Sequence, residues 1–309
     1  MTLQQLEYIL ALNEHGNFTK AAEACGVTQP TLSTMIQRLE QELAVPLFDR
    51  IKQPIEPTDI GRSVIRQART ILGEASKVKE IIDEASQSIT GSFTMSFLPT
   101  ISPFLVPLVL PKMVETFSEA QVNIKEAKTS DTLNALINRE IDLAVIATEP
   151  EHHMLQSTLL YYEEFIGYVP KGPKYWDNRI LHSSDINAED LWLLDEGHCF
   201  RDQLIRFCKL KDEAKHHLSY SKGSLFGFMH LVEKGFGLTI IPHLAVHYLS
   251  EEQKQHCRSF AVPRPTRGIY LVWNNDFVRH SIIKKVTEII QSAVPKEMLE
   301  LGSEQNLAK

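Results

Sequence analysis

The sequence predicts an α/β chain in three parts: a small N-terminal helical module with a wing, one long helix, and a C-terminal α/β domain of two lobes. Three observations predict it. Residues 1–57 hold short helical periods broken by Gly and Asn, residues 59–89 keep one helical period without an internal proline, and from residue 93 strand-like runs alternate with helix-like ones. The parts are expected at 1–58, 59–90 and 91–309, with lobe I at about 91–161 and 268–309 and lobe II at about 162–267. A length of 309 residues suits more than one domain-sized unit.

In the first part, Leu3, Leu6, Ile9, Leu10 and Leu12 recur at helical spacing, and Gly16 with Asn17 supplies a stop. Thr19 to Cys25 forms a short Ala-rich helix, Gly26-Val27 turns the chain, and a second helix starts near Thr28, with Pro30 tolerated in its first turn. Two short helices about a tight Gly-containing turn are a helix-turn-helix pattern, although a helical hairpin in a small bundle has the same spacing. Leu43 to Thr58, with Pro46, Pro54 and Pro57, suits a small wing. Asp59 to about Ile89 then forms a helix of about 30 residues, near 45 Å long. Its apolar stripe, including Ile60, Val64, Ile71, Val78 and Ile82, is narrow and flanked by charge, which fits a dimerising connector better than a buried core element. Ser88 to Ser92 marks the next boundary.

Beyond it, Phe93 to Leu98, Val122 to Ala127 and Leu143 to Ala147 read as strands, with helices at Pro103 to Phe117 and Asp131 to Arg139 between them. This alternation predicts a largely parallel sheet. A second set follows: a strand at Leu191 to Leu194, a helix from about Arg201, a strand near Leu218, a helix at Ser224 to Lys234, and a strand at Leu238 to Ile241. Gly268 to Trp273 and a helix at Val278 to Val294 return to the first lobe, and the polar tail Pro295 to Lys309 is expected to fray. The lobes would enclose a cleft.

Composition narrows the function. Hydrophobic residues at 43% and charged residues at 23% exclude a disordered chain, and four cysteines are too few for a disulfide scaffold. Met1 to Gly16 lack the marks of a secretion signal, and the longest apolar run, Phe104 to Pro111, is broken by Pro107. A cytoplasmic chain with reduced thiols and no membrane segment is expected. The net charge of -7 argues against a generally basic nucleic-acid coat.

The second short helix carries Thr28, Gln29, Thr31, Ser33, Thr34, Gln37 and Arg38, side chains able to address base edges and phosphates. Residues 1–60 are nonetheless acidic, with Lys20, Arg38, Arg50 and Lys52 against eight carboxylates. The run from Phe18 to Ser33, followed by Ile36-Gln-Arg-Leu-Glu40 and Leu47-Phe-Asp-Arg50, resembles the N-terminal domain of LysR-type transcriptional regulators over about 60 residues. The resemblance implies a winged helix-turn-helix, a linker helix and a regulatory domain like the periplasmic binding proteins. It also implies a dimer of dimers, a pseudo-palindromic promoter DNA site and RNA polymerase as a partner. Arg38, Arg50 and Lys52 would meet phosphates.

The run Gly197-His-Cys-Phe-Arg-Asp-Gln203 is followed by Cys208. A Cys-x8-Cys spacing fits no common metal motif, and two unrelated thiols would also satisfy it. Cys199 has His198 and Arg201 beside it at a predicted helix start, an arrangement that favours thiolate, the species peroxide oxidises. On one continuous helix the two Cα atoms would lie about 13.5 Å apart, whereas a disulfide needs less than about 7 Å. Bonding would require the segment to unwind.

Together with Leu98-Pro-Thr-Ile-Ser-Pro103, Glu126-Ala-Lys-Thr129, Gly237-Leu-Thr-Ile-Ile-Pro242 and Arg267, this run resembles the peroxide-sensing members of the LysR-type family. The resemblance implies that Cys199 is the peroxidatic thiol and Cys208 the resolving one, with hydrogen peroxide as signal and glutaredoxin or thioredoxin as reductant. It implies a pocket of Thr100, Thr129, His198, Asp202 and Arg267. Each has a plainer role available: Thr100 and Thr129 as helix caps, Arg267 as a surface ion pair. Asp202 would raise the thiol pKa unless Arg267 or His198 compensates. Cys25 is expected to be a small buried residue and Cys257 to lie in a polar loop. Neither a cofactor nor a metal is expected, because adjacent pairs such as His152-His153 and His216-His217 rarely converge on one ion. Two rivals remain: a regulator that binds a small metabolite in the cleft, and an enzyme, a thiol peroxidase, disfavoured because no catalytic arrangement extends beyond the thiol pocket.

Overall fold

The computed structural model describes residues 1–85, 89–172, 174–194, 199–208 and 223–307, apart from the side chains of Asp83, Ala85 and Cys199. It divides into two compact units, Met1–Ser88 with Asn138–Glu140, and Ile89–Ile137 with Ile141–Lys309.

In the first unit, helix α1 (Leu3–His15) starts on a capping box of Thr2 and Gln5 and ends at Gly16, which adopts left-handed backbone. A side chain at Gly16 would also meet Pro54, 2.8 Å from the new Cβ. Asn17 caps α2 (Phe18–Ala24) by accepting from the amides of Thr19 and Lys20. Thr28 caps α3 (Gln29–Leu43), which carries Pro30 in its first turn. Leu32, Ile36 and Leu39 of α3 share one face and pack with Leu6, Ile9, Leu12 and Ala21 in a single core. Strands β1 (Phe48–Asp49) and β2 (Glu56–Pro57) pair antiparallel and form the wing.

Helix α4 (Asp59–Ala85) follows, 27 residues long, or about 40 Å. Gly61 lets its first turn touch the wing, since a Cβ there would lie 2.0 Å from the Leu47 carbonyl oxygen. Ile65 and Ala68 are buried in the module's core, whereas Val78, Ile81 and Ile82 are 66%, 57% and 64% exposed.

The second unit opens with β3 (Gly91–Phe97), α5 (Ser102–Thr116), β4 (Ala120–Glu126), α6 (Thr129–Ile137) and β5 (Leu143–Ile146). The three strands pair in parallel, β3 lying between the other two. The chain then enters β6 (Leu155–Tyr168), a strand of 14 residues that the sequence reading missed. Later come β7 (Ile180–Leu181), β8 (Leu191–Trp192), α7 (Cys199–Cys208), α8 (Leu225–Glu233), β9 (Leu238–Pro242), α9 (Glu251–Lys254), β10 (Cys257–Phe260), β11 (Arg264–Asn274), α10 (His280–Ala293) and β12 (Gln305–Leu307).

The expectation of a largely parallel sheet is corrected. Strand β11 runs antiparallel to both β5 and β6, and β6 runs antiparallel to β9 and β10. Residues Leu155 to Glu164 of β6 pair with β11 and its last residues pair with β9 and β10, so one strand threads from the first sheet region into the second. A register shift at Ile269/Tyr270 breaks its period-2 pattern, which hid it in the sequence. The tail is also not frayed through residue 307: Met298 is buried, and β12 pairs in parallel with Arg264–Thr266 of β11. Cys257 sits in β10 rather than in a loop, and Cys25 is only half-buried, at the C-cap of α2. The strand expected near Leu218 and the pair His216-His217 lie outside the described residues.

Among the described residues, no helix is long and apolar enough to cross a membrane, and no cluster of His, Cys, Asp or Glu could hold a metal ion.

Candidate functional site

Helix α7 runs from Cys199 to Cys208 without a break. Its apolar face follows from spacing: Phe200, Leu204 and Cys208, four residues apart, are buried with Phe165, Val169, Leu181 and Phe260. The Phe200 ring meets Phe165 edge-on at 5.2 Å, and Phe207 meets Phe260 at 5.4 Å. Cys208 carries a free thiol, 8% exposed, and burial pushes its pKa up to about 12. The two cysteines therefore stand at opposite ends of a ten-residue helix, about 13.5 Å apart along the axis. His198 lies outside the described residues.

Of the residues proposed for the pocket, Arg267 lies against this helix and holds Thr100. Arg267 is fully buried, and it is not a surface ion pair. Its Nη1 donates to Thr100 Oγ1 at 3.1 Å, and its Nη2 donates to the Thr100 carbonyl at 3.1 Å. The opposite edge donates from Nε (3.0 Å) and Nη2 (2.7 Å) to Glu163 Oε2. The guanidinium also lies over the Phe200 ring, 5.0 Å from its centre. Thr100 is not a helix cap; Ile101 takes that position in α5, without a side-chain bond. Thr129 is the first residue of α6, and its buried Oγ1 has no hydrogen-bond partner among the described residues.

Asp202 departs from expectation. It is exposed on the outer face of α7, beside Arg206, while the helix turns Phe200 and Gln203 inward. A three-residue step from Cys199 carries Asp202 past the buried stripe, so the structure does not bring it to Thr100 and Arg267.

Two residues of this cluster were missed. Glu163 is 1% exposed and accepts from Arg267 through Oε2 and from the Leu244 amide through Oε1, at 3.1 Å. Gln203 is also 1% exposed, and its Nε2 donates to the Ala147 carbonyl at 2.9 Å, tying α7 to the end of β5. Gln203 had a signal, a polar residue on the apolar face of the Cys199 helix. Glu163 had a weaker one, a carboxylate between Tyr161 and Phe165 in an apolar run.

A cavity of about 520 Å³ opens beside the cluster, lined by Pro99, Phe104, Lys128, Asp131, Leu194 and Phe226 among others. Pro99 and Lys128 adjoin Thr100 and Thr129 in the chain.

In the first unit, Thr28, Gln29, Thr31, Thr34, Gln37 and Arg38 are exposed and Ser33 is half-buried, on the side of α3 away from Leu32, Ile36 and Leu39. Arg50 pairs with Glu40 at 2.8 Å and lies over the Phe18 ring, and Lys52 pairs with Glu56 at 2.6 Å. Glu40 also accepts from the Leu47 amide at 2.7 Å, which pins the wing to α3.

The comparisons agree with this layout. The family model of the LysR substrate binding domain matches residues 86–295, and that of bacterial regulatory helix-turn-helix proteins of the lysR family matches residues 3–62. The chain belongs to the LysR family. Within the family it is 31% identical over 300 residues to a hydrogen peroxide-inducible genes activator of Haemophilus influenzae, covering 96% of this chain and 97% of that protein. A crystal structure of OxyR from Porphyromonas gingivalis is 41% identical, with a TM-score of 0.68, over 71% of this chain and all of that one. A full-length OxyR variant from Pseudomonas aeruginosa matches 95% of this chain and 99% of its own, at 28% identity and a TM-score of 0.79. This LysR-family chain thus resembles OxyR along both units.

Proposed function

We propose that this LysR-family regulator binds promoter DNA and is switched by hydrogen peroxide through Cys199 and Cys208. The observation that carries this reading is the intact helix between the two cysteines, with Cys208 buried and protonated at its far end. In the first step the Cys199 thiolate attacks one oxygen of peroxide. An S–O bond forms, the O–O bond breaks, and the second oxygen leaves as water after taking up a proton. Cys208 then attacks the sulfenic sulfur, forming the S–S bond and expelling the hydroxyl as a second water.

Cys208 is a poor nucleophile where it stands, because thiolate is the attacking species and burial disfavours it. The second step therefore requires α7 to open, which brings the thiols together and exposes Cys208. A chemical event of two electrons becomes a rearrangement of Phe200, Gln203 and Leu204 in their packing. A dithiol reductant of the glutaredoxin or thioredoxin class would return two electrons and restore the helix. Thr100 and Arg267 supply the polar side of the pocket, with the buried hydroxyl of Thr129 as a further donor. The thiol's role is signalling in a cytoplasmic, reducing compartment rather than turnover of peroxide.

The exposed stripe of Val78, Ile81 and Ile82 on α4 suits a second copy of the same helix. Dimers of such dimers would hold two helix-turn-helix modules on one DNA site, within reach of RNA polymerase.

Treatment of the reduced protein with equimolar peroxide tests this. A 199–208 disulfide found by mass spectrometry and a changed footprint on promoter DNA are expected; absence of both sinks the reading. The apolar cleft favours one alternative, a regulator answering a small metabolite. In that case Cys199→Ser would leave the response intact, whereas the peroxide reading expects it to be blind.

A further inference from the structure

A buried guanidinium is costly unless its charge is matched, and among the described residues Arg267 is matched by Glu163. The carboxylate takes two donors from Arg267 on Oε2 and keeps Oε1 for the Leu244 amide. That leaves Nη1 of Arg267 turned to Thr100 Oγ1. A guanidinium only donates, so Thr100 accepts on that side, and its own hydroxyl hydrogen is left for a group on the other. The rotation of Arg267 about its long axis thus sets the polarity of Thr100, and Glu163 sets the rotation.

Charge follows the same logic. Arg267 together with Glu163 contributes no net charge, so the pair offers an oriented dipole and no attraction for an anion. Hydrogen peroxide is neutral at physiological pH. Formate, chloride and carboxylate metabolites are not.

We propose that Glu163 is a positioning and specificity residue: it orients and neutralises Arg267 so that Thr100 donates a hydrogen bond to an uncharged oxidant while small anions are refused. This rests on the peroxide reading given above. In the first oxidation step the donated bond steadies the negative charge that develops on the leaving oxygen as the O–O bond breaks.

The test uses the full-length protein with Cys208→Ser, so that oxidation stops at the sulfenic acid, and follows loss of the Cys199 thiol after rapid mixing with peroxide. Glu163→Gln should slow this step by roughly tenfold to a hundredfold. In a Thr100→Val background, which is itself slow, Glu163→Gln should cause no further loss, because it acts through Thr100. Sodium formate should inhibit Glu163→Gln and leave the parent untouched, a gain that general loosening of the fold would not produce. Glu163→Asp keeps the charge and guards against a misfolded Gln variant: it should fold, slow the step and remain indifferent to formate. Losses that multiply in the double variant, or Glu163→Gln and Glu163→Asp at the parent's rate, overturn the inference and leave the peroxide reading standing. A parent whose Cys199 ignores peroxide overturns both.

Discussion

Arg267 and Arg50 each face a glutamate at nearly the same distance, 2.7 Å to Glu163 and 2.8 Å to Glu40, in opposite surroundings. The first pair is 0% and 2% exposed, while Arg50 is 39% exposed. In the interior neither partner can turn to water, so the pair is a fixed part of the sensor. At the wing, water and salt compete with the bond, and a phosphate can replace the carboxylate. Equal geometry thus gives a permanent dipole in one unit and exchangeable charge in the other.

The largest effect is expected from breaking the buried pair. Arg267→Ala leaves Glu163 charged in the interior and removes the surface on which Phe200 packs. It should cost about 3–5 kcal/mol in denaturant unfolding. A loss under about 1 kcal/mol would mean that water reaches Glu163, and the contrast with Arg50 would fail.

A second effect concerns Cys208. Its folded pKa of about 12 lies above the ordinary thiol value of 9.0, so at pH 8 it should react with iodoacetamide roughly a thousandfold more slowly than a peptide cysteine, three units being three powers of ten. The folded state holds the proton more tightly, so the contribution is complete below pH 9, where both states are protonated, and is lost as pH rises toward 12. Melting temperatures at pH 7, 9 and 10 should fall, and Cys208→Ala should flatten that fall. Cys257, pushed up to about 11 by burial in β10, adds a loss of the same sign that is smaller in total, because its window closes near pH 11.

At the wing the effects are smaller and appear only with DNA. Arg50→Ala should leave the melting temperature nearly unchanged, since an exposed pair contributes about 0–1 kcal/mol. It should lower the salt slope of DNA binding by about one, as expected when a single phosphate contact is lost. Smallest of all, Glu56→Gln should release Lys52 and tighten binding by about twofold to fivefold at low salt, an advantage that fades at high salt. Weaker binding instead would mean that Glu56 orients Lys52 and does not compete with DNA for it.

Much of this arrangement was legible in the chain. The helical spacing from Leu3 to Leu12, the stop at Gly16 and the helix start near Thr28 are local effects, written in neighbouring residues. Cys199, Cys208, Thr100 and Arg267 stood out because their types and spacing resemble those of a family. Strand β6 was not legible, because a register shift and an inward glutamate interrupt its alternation. Glu163 was missed for the same reason: the meaning of a carboxylate in an apolar run depends on Arg267, 104 positions away. Asp202 was implied by the family resemblance, but three residues past Cys199 the helix presents its solvent face, and Asp202 is exposed there.

The last strand has a consequence for anyone shortening the protein. The match to the substrate binding domain ends at residue 295, and β12 comes after it, laid along Arg264–Thr266 directly before Arg267. A chain cut after Pro295 would keep every residue of the sensor cluster. It would nonetheless bare backbone donors and acceptors of Arg264–Thr266 and lose the Arg264–Glu304 pair. Such a fragment would be prone to stick to its own kind through that raw edge, and it would lose its brace beside Arg267.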